Sequence, residues 1–156
     1  MDMEQAKKQH SWDQYFMGMA QYVATRAKDP STKVGAVIVG PDHRIRSTGY
    51  NGLPAGVKEK DERYEIRELK IAFTTHAEAN AIYGAARTGV ATDGCTIYVY
   101  GLSPCSGCAQ AIIQAGITRV CVNSLDIPQR WESSMLIAQE MLSEANIELY
   151  LIRPGA

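Results

Sequence analysis

Apolar positions recur at helical spacing over residues 11–28, where Trp12, Tyr15, Phe16, Met19, Tyr22, Val23 and Ala27 share a face. Ser11 is the expected cap, and Pro30 closes the segment because it bars its predecessor from helical geometry. This aromatic stripe is expected to pack into the core. The apolar run at 34–40 reads as a strand, P-D-H at 41–43 as a turn and 44–50 as a second strand. So short a connection makes an antiparallel hairpin, with His43 solvated in its turn. N-G-L-P-A-G at 51–56 is a loop, and 57–70, dense in Lys, Glu, Asp and Arg, reads as a solvated helix or mobile segment. A helix is predicted over 75–87, with Ala77, Ala81 and Ile82 offering small or apolar faces. A β-branched and aromatic strand follows at 96–100. Pro104 opens a helix reaching about Ala115, stopped by Gly116. A strand at 118–123, a helix over 129–145 with Trp131, Met135, Ala138, Met141 and Leu142 inward, and a strand at 147–152 complete the pattern.

The order α-β-β-α-β-α-β-α-β predicts an α/β fold in three layers, with a five-stranded mixed sheet covered by helices on both faces. Neither a repeat nor a second unit interrupts it, so residues 1–156 read as a single domain.

Composition narrows the function classes. Sixteen basic against seventeen acidic residues leave a net charge of -1, which removes the expectation of a duplex nucleic-acid footprint. A small anionic substrate, needing only a few local donors, remains open. There is no long apolar run, so no membrane partner is expected, and the N-terminus lacks the apolar stretch of a secretory signal. A cytoplasmic location is the expectation. In a reducing compartment, the C-x-x-C pair Cys105 and Cys108 points to metal or thiol chemistry.

His76-Ala77-Glu78 begins one predicted helix and P-C-S-G-C at 104–108 begins another. C-x-x-C at a helix start brings two sulfurs together, and the positive helix end favours their thiolates. One imidazole and two thiolates suit zinc (Zn2+) and leave a fourth tetrahedral position for water. Glu78, two positions after His76, can reach that water without ligating the metal. Hydrolysis of an amidine-like C–NH2 group needs such a shuttle: the ring nitrogen must be protonated as hydroxide attacks, and the amino group must be protonated to leave. The combined H-x-E…P-C-x-x-C pattern is the established signature of zinc-dependent nucleobase deaminases. A redox pair or a structural zinc knuckle is the competing reading. The knuckle needs a fourth ligand, for which Cys95 and Cys121 are available, although both lie in apolar strand-end surroundings where cysteine packs.

Further segments carry a closer resemblance. D-P-S-T-K-V-G-A at 29–36, G-Y-N-G-L-P-A-G at 49–56, H-A-E-A-N-A-I at 76–82 and S-P-C-S-G-C-A at 103–109 resemble the deoxycytidylate deaminases, within the wider cytidine deaminase superfamily. The zinc segments identify the superfamily; the first two are more selective for the deoxycytidylate branch. The resemblance spans roughly residues 11–152. It implies that His76, Cys105 and Cys108 bind zinc, that Glu78 is catalytic, and that Asn51 hydrogen-bonds the sugar. It implies too that the Ala77 N–H holds the pyrimidine carbonyl and the Ser103 carbonyl receives the amino group. It implies conversion of deoxycytidine monophosphate to deoxyuridine monophosphate and ammonia, in a homo-oligomer, dimer or hexamer. In some family members dCTP and dTTP act as effectors through the loop holding Gly49, Tyr50, Gly52, Pro54 and Gly56. Residues 57–74 contain no Cys or His, so a second zinc is not expected.

A nucleotide phosphate wants an Arg or Lys fork. Arg26 and Lys33, before the first strand, are the candidates, with solvated cations as the competing reading. Two other functions stay open: a zinc deaminase of another cytosine or purine base, nucleoside or modified nucleotide, and a non-enzymatic zinc-stabilised interaction domain. The second has no chemical need for Glu78.

Overall fold

A computed structural model describes residues 10–155. Its strands are β1 (Gly35–Val39), β2 (Ile45–Tyr50), β3 (Thr96–Tyr100), β4 (Arg119–Val122) and β5 (Glu148–Leu151). They form one mixed sheet in the order β2-β1-β3-β4-β5. The β1–β2 and β1–β3 pairs are antiparallel, and β3–β4 and β4–β5 are parallel. This is the predicted mixed sheet.

Helix α1 (Trp12–Ala24) covers one face. It opens with a reciprocal cap: the Gln14 N–H donates to Ser11 Oγ and the Ser11 N–H to Gln14 Oε1, both at 3.1 Å. On the other face lie α4 (Ala77–Thr88), α5 (Ser106–Gln114) and α6 (Glu132–Glu144). All of β1 is buried, and its residues alternate between the layers. Val37 and Val39 meet Phe16, Met17 and Ala20 of α1, while Ala36 and Ile38 join Ala81, Ile112 and Leu142 opposite. Two short helices, α2 (Glu62–Glu65) and α3 (Arg67–Phe73), occupy the charged stretch between β2 and α4.

Two glycines set how closely helices approach the sheet. A Cβ at Gly35 would stand 2.1 Å from the Ala20 carbonyl oxygen, and one at Gly49 would stand 2.4 Å from that of Ala77. The second contact matters most, because α4 begins at the site.

The sequence expectation for α1 requires correction. The helix stops at Ala24, and Trp12, Tyr15 and Tyr22 are exposed, Tyr22 at 78%. The face that docks is built on Phe16, Met17, Ala20 and Ala24, because the small side chains permit the approach to Gly35. Trp12 instead stacks on His43 of the hairpin turn at 4.3 Å. Tyr50 is also exposed. The helix expected over 129–145 divides into a 3-10 turn, Gln129–Trp131, and α6. No helix among the described residues is long and apolar enough to cross a membrane.

Candidate active site

The helices α4 and α5 start two residues later than expected, and that shift builds the site. His76 and Cys105 are the extended N-cap residues of α4 and α5, with Cys108 in the first turn of α5. Both helices therefore aim their unpaired N–H groups and positive ends at one point. His76 Nδ1 lies 3.4 Å from the sulfur of Cys105 and 3.4 Å from that of Cys108. All three ligand atoms fall within 4.8 Å of one another.

This donor set fits a zinc ion. Bonds of about 2.3 Å to sulfur and about 2.0 Å to nitrogen place tetrahedral neighbours about 3.6 Å apart. Local electrostatics also favour a cation. The Cys105 thiol is held well below its usual range, first by the Cys108 hydrogen bond and then by His76. Cys108 is held up by the negative sulfur beside it and by burial. Its proton is the one a dication displaces on binding. The other two cysteines, Cys95 and Cys121, are free and buried.

Glu78 sits in the first turn of α4, only 4% exposed. Burial pushes its carboxyl up from the ordinary range. It lines a cleft of about 390 Å³ together with His76, Ala77, Asn51, Ser103 and Cys105. Ala77 is the first residue of α4, so its N–H has no acceptor within the helix. Asn51 is partly committed to the scaffold: Oδ1 accepts from the Val34 N–H at 2.8 Å and Nδ2 donates to the Thr32 carbonyl at 2.9 Å. One lone pair and one N–H of its amide remain.

Arg26 and Lys33 are not among the residues lining this cleft. Both are exposed, and the Lys33 amine donates to the carbonyl of Ala27. The cations of the cleft are Arg67, Lys70 and Arg130. Arg67 and Lys70 lie three residues apart on α3 and so share a face, a spacing readable in the sequence but masked by the density of charge around it. Arg130 had no local signal, and Trp131, expected as an inward residue of the last helix, instead sits in the 3-10 turn and lines the cleft. Trp131 stands edge-on to His76, ring centroids 6.2 Å apart. Its segment is tied to the site because Ser134 Oγ of α6 accepts from the Ser106 N–H at 3.0 Å.

The glycine-rich loop after β2 borders the site through its backbone. Gly52 exchanges hydrogen bonds with Thr75, one residue before His76, and Asn80 Nδ2 donates to the Tyr50 carbonyl at 2.8 Å. The Val57 N–H closes a turn on the Pro54 carbonyl, and Gly56 takes a left-handed φ of 85°.

The family profile of the cytidine and deoxycytidylate deaminase zinc-binding region matches residues 10–124. A protein of Aliivibrio fischeri described as an uncharacterized deaminase in the luxG 3′ region is 43% identical over 140 residues, covering 88% of this chain and 91% of its own. The human deoxycytidylate deaminase is 41% identical over 114 residues, covering 70% of this chain and 62% of its own. The match thus spans about three-fifths of that relative. The crystal structure of a dCMP deaminase from cyanophage S-TIM5 superposes with a TM-score of 0.70 over 97% of this chain and 100% of that one, at 23% identity. That likeness shows a shared fold.

Proposed function

The chain belongs to the cytidine and deoxycytidylate deaminase family, and from that premise we propose that it hydrolyses deoxycytidine monophosphate to deoxyuridine monophosphate and ammonia. One observation carries the reading. The same cleft holds a buried glutamate beside a His/Cys/Cys donor set and, on separate segments, the arginines Arg67 and Arg130.

His76, Cys105 and Cys108 would hold zinc, which when bound acidifies water and so supplies hydroxide near neutral pH. Glu78 takes a proton from the attacking water and delivers it to ring N3 as the oxygen adds at C4. It then carries the remaining hydroxyl proton to the amino nitrogen, which departs as ammonia while C4 keeps the oxygen as a carbonyl. A carboxyl raised by burial suits both transfers, because it releases and regains a proton easily. The Ala77 N–H holds the pyrimidine carbonyl and the Ser103 carbonyl receives the amino group. The free half of the Asn51 amide meets the sugar. Arg67 and Arg130 take the phosphate, in place of the expected Arg26 and Lys33. Trp131, Met135 and Ile71 give the cleft apolar walls that exclude bulk water.

The test is a comparison of turnover of deoxycytidine monophosphate, deoxycytidine and cytidine monophosphate by the zinc-loaded protein. Preference for the deoxynucleotide supports the reading. Equal kcat/KM on deoxycytidine rejects a phosphate-reading cleft.

A further inference from the structure

Helices α2 and α3 contain no buried residue. They pack on each other and, among the described residues, on no other helix or strand. Neither hydrophobic cluster of the core includes them. Apolar burial, the usual cement between a helix and its sheet, is therefore not what seats this segment. At its C-terminal end it is hinged by the Gly52–Thr75 backbone bridge.

Two ion pairs join the segment to the body. Lys28 and Glu59 meet at 3.4 Å, but their side chains are 60% and 46% exposed, and such a pair holds little. The other is different in kind. Lys70 Nζ stands 2.7 Å from Oδ2 of Asp29, a residue only 1% exposed, and 3.1 Å from Ser31 Oγ. The receiving half is prepared on the body alone. Asp29 Oδ1 accepts from the Ser31 N–H at 2.9 Å, the Ser31 hydroxyl at 3.0 Å and the Thr32 N–H at 3.3 Å. That leaves Oδ2 to the cation arriving from α3. A buried carboxylate stripped of its only cation is costly, and salt screens such a pair weakly. Lys70 is thus the main polar fastening of a segment that joins neither apolar cluster of the core.

We infer that the Lys70–Asp29 pair is a latch: it docks the helical flap of residues 57–74 and thereby places Arg67, one turn earlier on α3, against the charged end of the substrate. Arg67, Lys70 and Ile71 all border the cleft on the flap side. A ligand that binds Arg67 only when the flap is seated shifts the flap toward the seated state. Lys70 acts as a positioning residue in this scheme. The kinetic half of the inference rests on the nucleotide reading above; the structural half does not.

The experiment uses the zinc-loaded protein with Lys70→Met, which keeps the stem and removes the charge, and Lys70→Arg, which keeps the charge. Hydrogen exchange is read by peptide, with steady-state kinetics alongside. In K70M the amides of residues 62–73 exchange about tenfold faster or more, while those of β1 and β3 keep wild-type protection. The KM for deoxycytidine monophosphate rises about tenfold while kcat holds within about twofold, the mark of lost binding rather than lost chemistry. K70R restores both. Unaltered exchange in 62–73 overturns the latch, and so does exchange that accelerates equally in flap and sheet. Faster flap exchange with an unaltered KM overturns the positioning role. A wild-type protein equally active on deoxycytidine instead defeats the nucleotide reading, and flap exchange then decides the latch alone.

Discussion

Nδ1 of His76 stands 3.4 Å from Sγ of Cys108, although the two lie 32 positions apart in the chain. Helix α4, strand β3 and their connecting turns lie between, so this approach is made by the sheet and by the two helices whose N-termini meet over it. Metal binding should follow from the geometry. The protein is expected to bind one zinc, and Cys108→Ser to weaken that binding about tenfold or more. Stripping the metal should abolish deamination and leave the sheet signal in circular dichroism, because the apolar core cluster contains none of the three ligands. Undiminished zinc in C108S, or full turnover without metal, contradicts this.

Glu78→Gln keeps size and removes the proton shuttle. It should retain zinc and fold while kcat falls about a thousandfold or more, the range of a positioned acid–base group. Turnover near the wild-type rate takes Glu78 out of the mechanism, whereas a zinc-loaded wild-type protein without turnover would favour the interaction-domain reading.

Arg67→Ala and Arg130→Ala should each raise KM for deoxycytidine monophosphate about tenfold and leave zinc content alone. Arg26→Ala should be indistinguishable from wild type, since Arg26 is exposed and does not line the cleft. A loss in R26A matching that in R67A contradicts the assignment.

Gly49→Ala tests how α4 is seated. The added methyl would stand 2.4 Å from both the Ala77 carbonyl oxygen and the Ala81 nitrogen, so the start of α4 must move off β2. A cost of about 3 kcal/mol is expected, with reduced zinc occupancy because His76 caps that helix. Denaturant midpoints and metal analysis on the same sample decide it. Wild-type stability in G49A would show that the helix is not held where the contact requires.

Asp13 makes acid stability predictable away from the metal. Arg119 hydrogen-bonds both of its oxygens at 2.8 Å, and the Tyr98 hydroxyl adds a third bond at 2.6 Å. Arg119 foremost thus holds the carboxyl below its usual range. A group so depressed stabilises the fold fully above its unfolded value of about 3.9 and loses that contribution as pH falls through the lower folded value. Asp13→Asn should therefore cost about 1 kcal/mol at neutral pH, with the gap from wild type closing below about pH 4. A gap independent of pH would assign the effect to packing alone.

Much of the architecture was legible in the residues. Strand β3 falls where its β-branched pattern predicts, most other elements shift by a few residues at their ends, and the charged stretch and the last helix each divide in two. The aromatic stripe of α1 misled because periodicity locates a face without saying which part of it docks; the Ala20–Gly35 approach selected the small side chains. Lys33 misled for a related reason. Proximity in sequence to Asn51 placed it near the substrate, but it does not line the cleft, and its amine donates to a carbonyl of its own loop.

The sequence by itself determined the donor types, their place at helix starts and the glutamate two residues from the histidine, because these are local and repeat with the backbone period. Tertiary structure alone decided which cations face the cleft. Arg67 and Arg130 stand 63 positions apart on elements with no shared period, and only the packing of the segment before α6 and the seating of the flap bring them to one cleft. Charge is recognised where chains converge, and convergence depends on contacts between distant residues that no local pattern encodes.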